Sequence, residues 1–346
     1  MSYLPLLELT RGGIVESVHH GAIAVADVTG RLVASYGDPH TVVFLRSSAK
    51  PFQALPFVEA GGPEHFGFTA REVAILCASH RGLEMHVETV QGMQAKIAAT
   101  EHDLLCGTHP SEDPETAARL IRAGQSPTPN RHNCSGKHTG MLAYARLRGL
   151  PLADYINRHH GIQQTILTTL AEMCGMPPGE VVVGVDGCSA PNFAVSLVKA
   201  ATALARLADP SGLPPTRAAA LRKIFSAMNS EPEMVRGPEG FDTELMRVLP
   251  NLIAAKGGAE GYQALAIAPG AFGPNSPALG VAIKCADGAG RATAPVALEV
   301  LSQLEVVGEK ELNTLAPFGY APRQPVKNWR GLVVGEVRPC FTLKTS

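Results

Sequence analysis

The sequence predicts a mixed α/β (α+β) protein in which N- and C-terminal segments share a sheet, mixed or antiparallel, around a large helical insertion. Three observations indicate this class. Strand-like segments cluster near the N-terminus and return after residue 250, helical spacing fills the middle, and no long linker or internal repeat divides the chain. We therefore expect residues 1–346 to form a single unit, with a sheet subdomain at about 1–60 and 250–346 and a mainly helical subdomain at about 61–249.

The strands are predicted from apolar, β-branched segments. Gly21–Val28 and Arg31–Ser35 flank Thr29-Gly30, a pattern typical of a hairpin. Thr41–Leu45 is a third candidate. Later strands are expected at Glu180–Val185, Tyr262–Ala268, Leu279–Cys285 and Gly331–Val337.

Helical spacing dominates the middle of the chain. Thr69 and Glu72 have the spacing of a capping box before Val73–Cys77, and Gly149 and Gly175 are candidate C-caps of two later helices. Further helices are expected at Leu83–Ala99, Asp113–Ala123, Lys137–Arg148, Leu152–Cys174, Asn192–Leu207, near Pro215–Met228 and near Pro295–Leu304.

The composition argues against several classes of partner. Lys plus Arg number 30 and Asp plus Glu 31, so no basic surplus indicates nucleic acid or an anionic membrane. The longest uncharged run, Gly261–Ile283, contains three prolines and is more typical of strands and a loop than of a membrane helix. The N-terminus lacks a signal-peptide pattern and the seven cysteines are scattered, so we expect reduced thiols and a cytoplasmic location.

Four short polar segments are candidates for chemistry, and the first is LRSSAKPFQ at Leu45–Gln53. Ser47 and Lys50 are three residues apart and would share one face of a helix. There a lysine whose ammonium is destabilised by burial can serve as base for a serine nucleophile. Ser48 is only two residues from Lys50 and should point elsewhere. Taken alone, the spacing favours the alternative, a capped helix with a solvated lysine.

The second and third segments are CASHRG at 77–82 and RHNCSGKHTG at 131–140. In the second, Ser79 could act as a nucleophile or proton carrier, and Arg81 and His80 could bind a carboxylate, whereas the alternative is a polar cap with ordinary surface charge. In the third, backbone N–H groups near Cys134 would form an anion or oxyanion site, and the alternative is a solvated loop.

The fourth segment, VVVGVDGCSAP at Val181–Pro191, is an apolar strand that ends in polar residues. Asp186 at its end could bind an ammonium group or could simply form a turn. Cys188 and Cys134 could hold a soft metal such as zinc, although two cysteines do not define a metal site and buried, inert thiols are the alternative.

Together these segments resemble the rhizobial-type L-asparaginases, also called class 3 asparaginases or the asparaginase II family. The resemblance rests on RSSAKPFQ, CASHRG, NCSGKHTG, GVDGCSAP and the later KGGAEG, in the order of the family and over nearly the whole chain. It implies a fold similar to serine β-lactamases and serine-dependent glutaminases, and a homodimer. The SDN and KTG elements of β-lactamases are absent, which argues against penicillin chemistry.

The resemblance also implies the roles of particular residues. The catalytic centre would consist of two serine–lysine pairs, Ser47 with Lys50 and Ser79 with Lys256. A zinc ion would be bound by Cys134, Lys137 and Cys188. The candidate substrate-binding residues are Arg46, His80, Asn133, His138, Asp186 and Gly187. Among these, Asp186 is the candidate for the α-ammonium of the substrate, and Arg46 and His138 are the candidates for its α-carboxylate.

The expected activity is that of an L-asparagine amidohydrolase. Ser47 would attack the side-chain amide with Lys50 as base, and an acyl-enzyme would be hydrolysed to L-aspartate. The alternatives are a glutaminase or broader amidase, a penicillin-recognising protein, and a non-catalytic amino-acid- or zinc-binding protein. The pocket of a glutaminase would differ from that of an asparaginase by the depth of one methylene, and such a difference changes the binding free energy by only about 1–3 kcal/mol.

Overall fold

The structure, a computed structural model, describes residues 3–345. The strands within that range are β1 (Leu4–Arg11), β2 (Ile14–Ala26), β3 (Leu32–Tyr36), β4 (Val42–Phe44), β5 (Val182–Val185), β6 (Pro191–Ser196), β7 (Ile253–Gly258), β8 (Tyr262–Ile267), β9 (Leu279–Cys285), β10 (Gln324–Lys327), β11 (Val333–Pro339) and β12 (Lys344–Thr345). The α-helices are α1 (Lys50–Glu59), α2 (Gly62–Phe66), α3 (Ala70–Leu76), α4 (Glu84–Lys96), α5 (Pro114–Arg122), α6 (Ser135–Leu147), α7 (Gly161–Cys174), α8 (Leu197–Ala208), α9 (Pro215–Ser230), α10 (Pro232–Arg236), α11 (Phe241–Val248), α12 (Thr293–Gln303) and α13 (Glu309–Leu315).

The chain forms two compact units. The first comprises the chain up to Ser48, Val195–Asp209 and the chain from Glu244 onward, and the second comprises Ala49–Ala194 and Pro210–Thr243. Helix α8 belongs to the unit that holds the sheet, whereas the sequence placed it in the helical part. It packs on β9 so closely that a Cβ on Gly280 would lie within bonding distance of a helix carbonyl.

The sheet of the first unit follows the order β10-β11-β1-β2-β9-β8-β7, with β3 paired to β2 and β12 to β3. Each of these described pairs is antiparallel. Strand β1 lies between β2 and β11, so the two ends of the chain interleave. The central strands β8 and β9 are almost entirely buried, which explains their continuous apolar sequences. The predicted mixed α/β class, with an antiparallel sheet built from both ends of the chain, is confirmed.

Two hairpin tips of this sheet expose apolar side chains next to each other. Gly12, between β1 and β2, donates its N–H to the Val334 carbonyl at 3.1 Å. Trp329, the only tryptophan of the chain, is fully exposed in the turn between β10 and β11. Ile14 and Leu332 are also exposed. These side chains form an apolar surface at one edge of the first unit.

In the second unit, α6 packs directly on α3 through two glycines. A Cβ on Gly136 would lie 2.4 Å from the Ile75 carbonyl oxygen, and a Cβ on Gly140 would lie 2.6 Å from Leu76 Cδ2. Any larger residue would separate the helices. This close approach brings the start of α6, with its cysteine and lysine, beside the segment that follows α3.

Several local predictions are confirmed by the hydrogen bonds. Thr69 and Glu72 form a reciprocal capping box, in which the Thr69 hydroxyl accepts the Glu72 N–H at 3.3 Å and the Glu72 carboxylate accepts the Thr69 N–H at 2.7 Å. Gly175 ends α7 in the left-handed conformation, with φ of 64°, as expected of a C-cap glycine. Gly149, with φ of 63°, follows the end of α6.

Two helix predictions are wrong in part. The segment predicted as one helix over Asn192–Leu207 begins as strand β6, and the helix starts only at Leu197. The helix predicted over Leu152–Cys174 starts at Gly161, where the His160 ring accepts the N–H of Ile162. Strands β1 and β7 were not predicted.

No helix within residues 3–345 is both long enough and apolar enough to span a bilayer.

Candidate functional site

The first candidate segment folds into a tight turn followed by a helix. Arg46–Ala49 forms a 3-10 turn and α1 begins at Lys50. Pro51 occupies the first turn, where its missing N–H costs nothing. Arg46 adopts a left-handed backbone conformation with φ of 51°. Such strain in a residue other than glycine is frequent where a neighbouring side chain has to be aimed.

The two adjacent serines of this turn differ in their surroundings. Ser48 is buried, and its hydroxyl donates to the Leu45 carbonyl at 2.7 Å. Ser47 is only half-buried. The Ser48 hydroxyl therefore closes the turn, and this difference supports Ser47 as the reactive serine.

Lys50 is fully buried and contacts the second candidate segment. Its Nζ donates to the Ala78 carbonyl and, at 3.0 Å, to the hydroxyl of Ser79, which is itself 4% exposed. The Asn133 carbonyl lies 3.5 Å from the same nitrogen. All three acceptors are uncharged. The structure thus places Lys50 Nζ within hydrogen-bond distance of the Ser79 hydroxyl.

Lys256 lies in β7 of the first unit and is buried, with its Nζ donating to the carbonyl of the next residue at 2.7 Å. Gly258 follows on the same strand, and a Cβ there would lie 2.8 Å from the Leu45 carbonyl oxygen. Glu260, in the turn after β7, is 3.9 Å from the guanidinium of Arg46. Within the first unit, the KGGAEG motif therefore lies beside the start of the RSSAK motif.

Five residues of the second unit close a ring of polar contacts. Lys50 links the Ser79 hydroxyl to the Asn133 carbonyl. The Asn133 amide donates to Glu112 Oε1 at 2.7 Å. Arg236 Nη1 donates to Glu112 Oε2 at 3.1 Å and to the Ser79 carbonyl at 3.3 Å. The ring joins five separate chain segments.

Glu112 and Arg236 were not predicted from the sequence. Glu112 lies in the loop before α5 and Arg236 is the last residue of α10, and neither belongs to a recognisable motif. The one signal that could have found the arginine is RGPEG, because two glycines beside a charged residue indicate close packing.

The three predicted metal ligands converge. Lys137 Nζ is 3.0 Å from Cys188 Sγ, and all three side chains are buried. A hydrogen bond from Cys134 and the charge of Lys137 lower the pKa of Cys188 far below its usual value. The bond to Cys188, together with burial, raises the pKa of Cys134. Burial opposes protonation of Lys137, but the negative charge on the sulfurs outweighs it and raises the pKa of this lysine. The two thiols and the lysine therefore lie in one buried cluster whose charges influence each other.

His138 lies against the same sulfurs. Its Nδ1 bonds to the Tyr155 hydroxyl at 2.6 Å, and its Nε2 is buried without a hydrogen-bond partner among residues 3–345. Burial lowers its pKa to about 4, against an opposing contribution from Cys188. The described chain gathers no group of three or more His, Cys, Asp and Glu ligands. Two thiols and an amine, with an orphaned imidazole nitrogen next to them, are nevertheless soft donors that suit zinc.

Two further predicted residues, His80 and Asp186, also lie in the second unit. His80 is fully buried, and its Nε2 lies 2.9 Å from the Ser135 hydroxyl. Burial lowers the pKa of His80 well below its usual value. Asp186 accepts the N–H of Gly187 at 2.9 Å and lies 3.9 Å from Cys188 Sγ. The Asp186-Gly187 turn is therefore next to the sulfur cluster.

Comparisons with known proteins find one family and several distant structures. The profile of the family described as L-asparaginase II matches residues 7–339. A comparison with curated protein sequences finds no significant match. Similar solved structures include Mglu (14% identity, TM-score 0.40, covering 83% of this chain and 68% of that chain) and a β-lactamase from Mycobacterium bovis (14%, 0.42, 82% and 95%). A probable glutaminase from Bacillus subtilis, complexed with 6-diazo-5-oxo-L-norleucine, is also similar (11%, 0.38, 83% and 84%).

Proposed function

The chain belongs to the L-asparaginase II family and is an amidohydrolase, and from this premise we propose that it hydrolyses L-asparagine to L-aspartate and ammonia by serine–lysine chemistry. The observation that supports this best is the buried hydrogen bond between Lys50 and Ser79. Lys50 begins α1, three residues after Ser47 in the preceding 3-10 turn. A serine needs a base to become a nucleophile, and a lysine buried among uncharged acceptors is suited to that task.

We propose Ser47 as the nucleophile because it is less buried than Ser48, whose hydroxyl is bonded to the Leu45 carbonyl. Its proton would pass to Lys50 as the oxygen attacks the side-chain amide carbon of the substrate. The tetrahedral intermediate then expels ammonia, whose nitrogen takes up a proton at departure. The resulting aspartyl ester on Ser47 is hydrolysed by water with a lysine again acting as base.

Ser79 is suited to carry protons rather than to attack. Its hydroxyl is buried and lies within hydrogen-bond distance of Lys50, so it can return the proton of Lys50 to the departing nitrogen. The participation of Lys256 stays a prediction based on the resemblance to the family.

The zinc ion implied by the family would be held by Cys134, Lys137 and Cys188. When bound, it would supply Lewis-acid polarisation and would tie the turn before α6 to the end of β5. Lys137 would have to lose its proton to bind the metal, and the lowered pKa of Cys188 favours the thiolate form that binds a metal.

For the substrate, Asp186 stays our proposal for the α-ammonium, with Gly187 shaping the same turn. His80 and His138 are buried and their pKa values are lowered, so we propose that they support the site rather than touch the substrate. Asn133 would act by holding Glu112 and by offering its carbonyl to Lys50.

The decisive experiment is acid quenching of the protein during turnover of L-asparagine, followed by mass spectrometry of its peptides. We expect an aspartyl adduct on the peptide that contains Ser47 and no adduct in the Ser47→Ala variant. An adduct on the peptide that contains Ser79 would show that the nucleophile is wrongly assigned. If the native protein releases no ammonia, the binding-protein alternative is correct.

The glutaminase alternative is separated by substrate comparison. The nucleophile would be the same, and the pocket would differ by one methylene, so kcat/KM for asparagine and glutamine must be measured side by side. We expect asparagine to be preferred by about tenfold or more. A preference for glutamine would favour the glutaminase.

We also propose a homodimer and a cytoplasmic location. The homodimer is supported by family membership, and light scattering would test it by giving the mass of two chains. The cytoplasmic location is supported by the seven cysteines, each of which is a free thiol.

A further inference from the structure

The structure assigns a further substrate-binding residue. We infer that the guanidinium of Arg236 binds the α-carboxylate of the substrate and that Glu112 holds it in position. The inference rests on the proposed function, since it names the group that recognises an α-amino acid at the same site.

Within residues 3–345, only one of the three guanidinium nitrogens of Arg236 donates to the protein. Its hydrogen bonds to Glu112 and to the Ser79 carbonyl both use Nη1. Among the residues that the structure describes, Nε and Nη2 have no acceptor, and the side chain is 38% exposed. A guanidinium with two free N–H groups on one edge matches the two oxygens of a carboxylate.

The position of Arg236 suits an amino-acid substrate. One bond reaches the Ser79 carbonyl, and the Ser79 N–H donates to the Val235 carbonyl at 2.9 Å, so the end of α10 is joined to the segment that Lys50 contacts. In asparagine only Cα and Cβ separate the α-carboxylate from the reacting amide carbon. The group that binds this carboxylate must therefore lie next to the catalytic hydroxyls, as Arg236 does beside Ser79.

The surroundings of Arg236 are shaped for it. A Cβ on Gly240 would lie 2.5 Å from Arg236 Cγ, and a Cβ on Gly237 would lie 3.1 Å from Cδ of Arg81. The two glycines of RGPEG thus leave room for two arginine side chains. Arg81 also lacks a hydrogen-bond acceptor within residues 3–345, but it is Arg236 that reaches the Ser79 carbonyl.

Glu112 acts as a positioning residue. It accepts one hydrogen bond from Arg236 Nη1 and one from the Asn133 amide. It therefore holds the guanidinium at Nη1 and leaves Nε and Nη2 for the substrate. The other arginine near this segment, Arg131, is different. Its donors are used by the Gly82 carbonyl and by both oxygens of Glu84.

The test compares two substrates in the Arg236→Gln variant. L-Asparagine carries the α-carboxylate, and 3-aminopropanamide is the same molecule without it. We expect kcat/KM for asparagine to fall roughly 100-fold, mainly through KM, because two charge-assisted hydrogen bonds are lost. The value for 3-aminopropanamide should change less than about threefold. Equal losses on both substrates would show a purely structural role and overturn the inference.

Two further variants sharpen the comparison. Gly240→Ala keeps the arginine but displaces its side chain, so it should show the same asparagine-selective loss. Arg119→Gln removes an exposed arginine that pairs with Glu84 and should leave both substrates unaffected. Asparagine-selective loss in Arg119→Gln would overturn the assignment.

Binding of L-aspartate to the Ser47→Ala variant separates this inference from the proposed function. Calorimetry should show roughly 100-fold weaker binding when Arg236→Gln is added. Unchanged aspartate binding would overturn the inference even if the native protein hydrolyses asparagine. Arg236-dependent binding without ammonia release from native protein would support the inference and contradict the proposed function.

Discussion

At the residue scale, the turn Arg46–Ala49 assigns different tasks to two adjacent hydroxyls. We expect Ser48→Ala to retain kcat within about tenfold and to lower the free energy of unfolding by about 1 kcal/mol, because a buried hydrogen bond to Leu45 is lost. Ser47→Ala should lower kcat by at least about 10³-fold. Steady-state kinetics and urea unfolding measure both effects. A Ser48→Ala variant that is inactive but fully stable would contradict this division.

The proposed zinc site leads to a second prediction at this scale. Purified native protein should contain about one zinc per chain by elemental analysis, and Cys188→Ala should contain almost none. A chelator should lower the melting temperature of the native protein and leave that of Cys188→Ala unchanged. Cys285→Ala is the matched control, since it removes another buried thiol, one that lies in β9. Equal zinc in both variants would contradict the ligand assignment.

Residue spacing indicated part of the candidate site, and the rest was missed for a physical reason. The choice between Ser47 and Ser48 follows from three-residue helical spacing, which is local. The hydrogen bonds that Asn133 and Arg236 donate to Glu112 join segments whose approach depends on how whole helices pack. No short pattern in the sequence encodes such a contact.

At the scale of elements, the contact of α6 with α3 depends on glycine. Gly136→Ala places a methyl group 2.4 Å from the Ile75 carbonyl, so we expect it to lower the free energy of unfolding by roughly 3 kcal/mol and to impair activity. Gly92→Ala, in α4, is the control. Its nearest neighbour would be a Glu72 oxygen at 3.9 Å, so higher helix propensity should stabilise the protein by about 0.5–1 kcal/mol. Stabilisation by both changes would refute close packing at Gly136.

Two of the elements that could not be predicted were strands that are buried on both faces, because such strands lack the alternation of apolar and polar residues. Strand β6 reads as part of an alanine-rich helix because its first five residues are all buried and show no alternation. Strand β7, which carries Lys256, combines small residues with glycines and has no β-branched run apart from Ile253. By contrast, the capping box at Thr69 and the C-cap at Gly175 depend on local backbone geometry, and both were predicted.

At the scale of the whole molecule, buried histidines make stability depend on pH. Burial lowers the pKa of His86 from 6.5 to about 4. In the unfolded chain this ring titrates near its usual value, so between these pH values the unfolded state binds more protons. Stability should therefore fall as the pH is lowered from about 6.5 to 4.

Urea unfolding at pH 7, 6 and 5 measures this slope. In the native fold, His86 donates from Nε2 to the Glu233 carbonyl at 3.0 Å and accepts the Leu83 N–H at its other nitrogen, so it is held neutral. His86→Gln should reduce the slope by up to about 1.4 kcal/mol per pH unit. An unchanged slope in His86→Gln would show that other groups cause the acid sensitivity.

Trp329 gives the molecule a fluorescent label at a single position. Because the chain has no other tryptophan and this one is fully exposed between β10 and β11, its emission in a lone chain should already be that of an indole in water. Unfolding would then leave the emission almost unchanged, and circular dichroism is the suitable probe for the urea experiments. A blue-shifted emission from the native protein would instead reveal that a second chain covers this hairpin tip.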